Sequence, residues 1–336
     1  MATAASPLFG GRNKRLVLVV ALAAVVAAAA VVGVTLLQTR GQTTTVPGAV
    51  TKARPGRPPL ELEFGVDASA EARALAHAQA LYNGKHVAQA AATFARYRSL
   101  EAQIGSAFVA WNQDGLATMK RLAAAHPRSG VALLHLGLAD YWAGRNADAV
   151  AAWRRTARVA ADSPYGVKAE DLLHSSLPIP GLPYLLIDYK PPRAIANLPA
   201  AQELAALAKA AATRDAHAKL AYGLALWGLQ RPLSAEIQFE AAAKLAPNDP
   251  VAQTAAAVGA FTKADPRKAF GRLGPLTGRF PRSSVVRLQL GLLLLWNGEQ
   301  KKAITQLRLA AADEPGSPYS KDAQALLARL PGTRSK

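Results

Sequence analysis

The chain has 336 residues, 51% of them hydrophobic, with 40 Lys and Arg against 22 Asp and Glu and no cysteine. That apolar fraction excludes a mostly disordered protein, and the lack of cysteine excludes disulfides, thiolate metal sites and cysteine nucleophiles. The formal charge of +18 suggests anionic neighbours such as lipid head groups, wall polymers or nucleic acid without choosing between them.

All acidic residues lie at or beyond Glu61, so the first sixty residues are purely basic in their charge. Residues 16–37, Leu16 to Leu37, are an uncharged apolar run preceded by Arg12, Lys14 and Arg15. At about 1.5 Å per residue the run spans roughly 33 Å, enough for the hydrocarbon core of a bilayer. The expectation is one transmembrane helix after a cytoplasmic tail of residues 1–15; a cleaved signal peptide would have a shorter apolar stretch. A short basic tail stays in the cytoplasm, which places everything after the span outside it. Residues 38–60, rich in Thr, Pro, Gly and cations, read as a flexible basic tether that can lie on acidic lipid.

Beyond the tether the composition is rich in Ala and Leu and poor in β-branched residues, which favours helix and leaves almost no sheet. A fixed interval then appears. Pro247, Pro281 and Pro315 are 34 residues apart, as are Ala235, Ala269 and Ala303, and also Phe239, Leu273 and Leu307. Such a period is the mark of stacked helical hairpins, each with an apolar face that only a neighbour can cover.

In the unit from Ala216 to Asp249, small residues stand at the eighth and twentieth positions (Gly223, Ala235), larger or helix-filling ones at the twenty-fourth and twenty-seventh (Phe239, Ala242), and Pro247 at the thirty-second. Two helices cross closely only where neither carries a large side chain, and proline ends the second helix. This pattern resembles the tetratricopeptide repeat family. The next units, Pro250 to Ser283 and Ser284 to Ser317, keep the register with Ala257, Ala269, Leu273 and Pro281, and with Gly291, Ala303, Leu307 and Pro315. Upstream, Gly130 to Ser163 and Arg96 to Ser129 follow it, the latter with Gln103 in place of the small eighth residue, and a first unit starts near Glu71 with Ala78, Ala90 and Phe94.

A longer period lies above this one. A shift of 154 residues superposes Pro127-Arg128-Ser129 on Pro281-Arg282-Ser283, Trp142 on Trp296 and Ser163-Pro164-Tyr165 on Ser317-Pro318-Tyr319. The array reads as a duplicated triplet, each ending in an extra helix capped by Ser163 or Ser317 and opened by Pro164 or Pro318. The expected domains are a first triplet with its capping helix over 61–176, a Pro-rich linker over 177–198, a linker helix with the second triplet and its capping helix over 199–331, and a tail over 332–336. The linker, with the apolar run Tyr184 to Tyr189, is expected to dock on the solenoid, either as plain packing or as a built-in ligand in its groove.

Signs of catalysis are missing. The six histidines form no zinc-hydrolase pair, Asn83-Gly84-Lys85-His86 lacks the glycine and hydroxyl of a phosphate loop, and Gly271, Gly274 and Gly278 fall within a helical repeat. No cofactor, no metal and no enzymatic activity are expected. The resemblance implies an all-α, right-handed solenoid in a membrane-anchored bacterial protein of this repeat family, whose first helices line a concave groove. By register that groove holds Leu134, Leu138, Tyr141 and Trp142; Leu220, Leu224 and Trp227; and Leu288, Leu292 and Trp296. Large aromatics there suit an unidentified protein or peptide partner; the other reading is that these side chains are core between helices. Lys120, Arg121, Arg154, Arg155, Arg267, Lys268, Lys301, Lys302 and Arg308 fall on second helices facing outward, a solvated back or a surface for acidic lipid or wall polymer. Nucleic acid is not expected, because the aromatics are not interleaved with these cations. The function expected is a non-catalytic scaffold for protein–protein interaction in extracytoplasmic envelope assembly; the alternative is a binder of anionic polymers or lipid head groups.

Overall fold

The computed structural model describes residues 52–177, 179–189 and 191–330, which divide into two compact units at Leu173/His174. The expected membrane span at Leu16 to Leu37 lies outside the described residues. Among the described residues no helix is long and apolar enough to cross a membrane, and no strand occurs.

In the first unit the helices are α1 (Ala70–Asn83), α2 (Val87–Phe94), α3 (Leu100–Val109), α4 (Gly115–Ala125), α5 (Gly130–Trp142), α6 (Asn146–Val159) and α7 (Pro164–Leu173). Each contacts the next, and α1, α3, α5 and α7 also touch in succession, so three hairpins stack in order and the last helix closes the row. The starts are written locally: Ser69, Ser99 and Ser129 each accept the backbone N–H three residues on, at 3.1, 3.4 and 3.4 Å. Such caps satisfy donors that the first helical turn leaves free.

The second unit contains α8 (Arg193–Ala196), α9 (Ala200–Ala211), α10 (Ala216–Gly228), α11 (Pro232–Leu245), α12 (Pro250–Gly259), α13 (Arg267–Arg279), α14 (Ser284–Trp296), α15 (Gln300–Asp313) and α16 (Pro318–Leu327). It repeats the arrangement, with α10, α12, α14 and α16 in contact along one side and α9 packed on α10. Asp215 and Asp249 cap α10 and α12, and Ser317 accepts from the Ser320 N–H at 3.0 Å at the start of α16.

The small residue at the eighth position does what its spacing demands. A Cβ on Gly223 would lie 2.6 Å from the ring of Phe239, and one on Gly291 would lie 2.9 Å from Leu307, so α10–α11 and α14–α15 approach as closely as backbones allow. The tenth residue packs on the preceding helix in the same way in both units: a Cβ on Gly105 would meet Phe94 at 2.5 Å, as one on Gly259 would meet Phe239 at 2.8 Å.

One expectation fails at its described end. Residues 52–60 are not the end of a solvated tether: Leu60 is wholly buried and Pro58 is buried with it. They begin an extended segment that runs over the first helices of the hairpins.

Candidate functional site

In the first unit, residues 54–63 run between α1 on one side and α5 and α7 on the other, turning at Gly56 and extended from Arg57 onward. An extended chain turns the N–H and C=O of alternate residues to opposite sides, and each side here has its readers. Facing α1, the carboxamide of Asn83 accepts from the Leu60 N–H at 3.0 Å and donates to the Leu60 carbonyl at 2.9 Å. The carboxamide of Gln79 grips Leu62 in the same two-point way. Facing the other side, the Glu61 N–H donates to His135 Nε2 at 3.1 Å, and the Tyr165 hydroxyl accepts from the Glu63 N–H at 3.1 Å while donating to its carbonyl at 3.2 Å. The Tyr82 hydroxyl donates to the Pro58 carbonyl at 2.8 Å.

Side chains add the apolar half. Leu60 and Leu62 enter a core with Leu75, Tyr82, Phe108, Leu134 and Leu138, each Leu contributing about 1.5–3 kcal/mol by burial. Glu61 pairs with Lys168 at 3.0 Å. At the front, the Arg54 guanidinium stacks 3.3 Å above the Tyr141 ring and donates to the Tyr141 carbonyl, and the Arg54 N–H donates to the Trp142 carbonyl at 2.8 Å.

In the second unit the linker does the same. Ile179, Leu186, Ile187 and Tyr189 are buried, Trp227 donates from Nε1 to the Pro183 carbonyl at 2.9 Å, Gln289 donates to the Leu186 carbonyl at 2.9 Å, and the Asp188 N–H reaches the Tyr319 hydroxyl at 3.3 Å. Lys263 Nζ donates to the Ile179 carbonyl at 2.9 Å, and the Tyr184 ring meets Trp296 edge-on with centroids 5.0 Å apart.

These straps cover the groove residues expected from the register. Leu134 and Leu138 lie beneath Leu60 and Leu62; Leu220, Leu224 and Trp227 share a cluster with Ile179, Ile187 and Tyr189; Leu288 and Leu292 pack with Leu186; Trp296 lies under Tyr184. Tyr141 and Trp142 are half-buried at the Arg54 end. The linker therefore does more than fill space, since backbone and side chain are both read. Sequence reasoning missed Gln79, Asn83, Tyr82, His135 and Tyr165, and the first strap itself. The nine outward cations are all exposed, with Arg121, Arg267 and Lys302 paired to Asp114, Asp265 and Glu299. Among the described residues no group of His, Asp and Glu is arranged to hold a metal ion.

His135 is the reader that titrates in the acid range. Its Nδ1 lies 2.7 Å from the Val131 carbonyl, which only accepts, and its Nε2 faces the Glu61 N–H, which only donates, so the ring is neutral with its proton on Nδ1. Full burial lowers its pKa to about 4, against the opposing pull of the Val131 carbonyl. Above pH 6.5 both folded and unfolded chains hold it neutral. As pH falls from 6.5 towards 4, the unfolded chain takes up a proton that the folded one refuses, so stability drops across that window, by at most about 3 kcal/mol. The residue 154 positions on is Gln289, whose carboxamide cannot titrate. His135→Gln is expected to flatten the fall in the urea midpoint of the first unit between pH 6.5 and 4; an unchanged slope would place its origin in other groups.

No family model matches this chain, and no curated protein matches it. Solved structures similar to it include yeast Tom70, at 13% identity over 82% of this chain and 53% of that one with a TM-score of 0.34. A tetratricopeptide repeat protein from Parabacteroides merdae matches at 10% identity over 76% and 98%, with a TM-score of 0.30. The TPR2AB domain of yeast Sti1, in a complex with pHSP90, matches at 11% identity over 79% and 98%, with a TM-score of 0.29. The chain spans about half the length of the Tom70 structure. The class is set by the chain's own architecture: an all-helical protein of stacked hairpins, each unit holding an extended segment along its first helices.

Proposed function

We propose that this protein is a non-catalytic interaction scaffold that holds extended segments of other proteins, anchored in the membrane through Leu16 to Leu37 with its repeats outside the cytoplasm, in envelope assembly. The observation that supports it is the double strap. Each unit presents side-chain amides, hydroxyls or an indole N–H to a peptide backbone, with apolar sockets for alternate side chains, which is the chemistry of extended-peptide capture.

A photo-crosslinking residue placed at Trp142 in living cells tests it against one at Arg154. Protein adducts from position 142, formed equally when isolated membranes are irradiated in high salt, are the expected result. Adducts only at 154, absent when irradiation is done in high salt, would replace the groove reading with capture of an anionic polymer by the outward cations. Alkaline phosphatase fused to the C-terminus is expected to be active; an inactive fusion beside an active cytoplasmic reporter would reverse the orientation.

A further inference from the structure

The two straps are versions of one sequence. Residues 56–64 read Gly-Arg-Pro-Pro-Leu-Glu-Leu-Glu-Phe and residues 181–189 read Gly-Leu-Pro-Tyr-Leu-Leu-Ile-Asp-Tyr, matching as Gly-x-Pro-x-Leu-x-(Leu/Ile)-(Glu/Asp)-(Phe/Tyr) at a shift of 125. Their backbones match too: Gly56 and Gly181 take the left-handed φ of 81° and 80° that favours glycine. So do their contacts. The carbonyls of Pro58 and Pro183 accept from Tyr82 and Trp227, each the twelfth residue of its unit's first repeat. His135 accepts from the Glu61 N–H and Gln289 donates to the Leu186 carbonyl at the matching position, and the hydroxyls of Tyr165 and Tyr319 accept from the N–H groups of Glu63 and Asp188. Both of these reader pairs are related by the 154-residue shift, and both read pairs by the 125-residue shift.

Two grooves that hold the same pattern and share three of its contact positions define a ligand class. Building on the peptide-scaffold reading above, we propose that the first unit recognises extended segments of this pattern as a class, and that an outside segment carrying it replaces the strap when the strap leaves. The hold on residues 54–63 supports replacement. Most of the hydrogen bonds go to backbone atoms and are indifferent to sequence, and selectivity comes from the two Leu sockets, the turn at Gly56 and the acidic pair beside Lys168. A tethered strap competes at an effective concentration on the order of millimolar, so the intact chain is self-occupied.

The test uses the full chain with a protease site inserted after Gly65, which is exposed and has open space around it. After cutting, the strap is no longer tethered to α1, and a fluorescent peptide of residues 52–67 is added. The expected result is saturable binding at least tenfold tighter than to the uncut chain, with release of the cut strap and unchanged helical circular dichroism. A peptide of residues 179–191 is expected to compete within about tenfold, and the 52–67 peptide with Leu60→Asp is expected not to compete. A cut chain that retains helicity and binds no peptide, or equal binding of native and Leu60→Asp peptides, would overturn the proposal. Loss of helicity on cutting would also overturn it, because the strap would then be core and not ligand. The uncut Leu60→Asp chain is a second host: if it folds, it is expected to bind the native 52–67 peptide where the wild-type chain does not. Peptide exchange with no partner adducts at Trp142 in cells would sustain the ligand class while removing the scaffold role; adducts without exchange would do the reverse.

Discussion

Phe239→Ala is expected to cost about 3–5 kcal/mol in the second unit, the range for removing a fully buried aromatic ring that leaves a cavity. Phe239 is 0% exposed on α11, and its ring fills the space that two glycines leave open, Gly223 on α10 and Gly259 on α12. A Cβ at either would come within 2.6 or 2.8 Å of that ring. Three helices therefore converge on one side chain, and they already approach too closely to collapse into the vacated space. The loss reaches the strap as well, because Trp227, which donates to Pro183, lies 6.1 Å from the Phe239 ring. Urea unfolding followed by the fluorescence of Trp227 and Trp296, with the first-unit tryptophans replaced by phenylalanine, is expected to show a clearly lowered midpoint. Glutamine at the exposed Ile237 of the same helix is expected to change it by less than about 0.5 kcal/mol. Equal effects at the two positions would contradict the packing described.

The second large effect is expected at Leu60. Its side chain is fully buried, and an aspartate there loses the apolar gain and places a carboxylate where water does not reach, a cost of several kcal/mol. The remaining Leu socket and the backbone hydrogen bonds, each worth about 0.5–1.5 kcal/mol net, are already offset by the entropy of holding roughly ten residues in one conformation, at about 1–2 kcal/mol per residue. The strap is expected to leave while α1–α7 remain stacked, since their mutual packing does not run through Leu60 alone. A glutamate-specific protease is then expected to cut after Glu61 and Glu63 at least tenfold faster than in the wild-type chain, with helicity retained. Glu61→Ala removes only the partly exposed pair with Lys168 and is expected to leave the urea midpoint almost unchanged.

The hairpins were legible because their determinants are local and periodic. The 34-residue interval of Pro247, Pro281 and Pro315, and the caps at Ser163 and Ser317, each act within one or two helical turns. The docked linker was legible in part, since Tyr184 to Tyr189 is too apolar for open solvent. The first strap was not. Leu60-Glu61-Leu62-Glu63 alternates for only four residues beside a run of prolines, and its partners are 17 to 102 positions away. Asn83, Gln79 and Tyr165 look like ordinary polar residues of a helix surface until an extended backbone is laid against them. The one sequence signal available was the match of residues 56–64 with 181–189, at a shift different from that of the helices. The groove residues expected from the register share clusters with the straps, and the cover over them depends on contacts that no spacing encodes.

The central claim, that each unit holds an extended strap by reading its backbone, is tested most directly by amide hydrogen exchange of the full wild-type chain. The N–H groups of Leu60, Glu61, Leu62 and Glu63, bound in that order to Asn83, His135, Gln79 and Tyr165, are predicted to exchange at least a hundredfold more slowly than a random coil, and to lose that protection in Leu60→Asp. Exchange of all four at random-coil rates in the wild-type chain would contradict it.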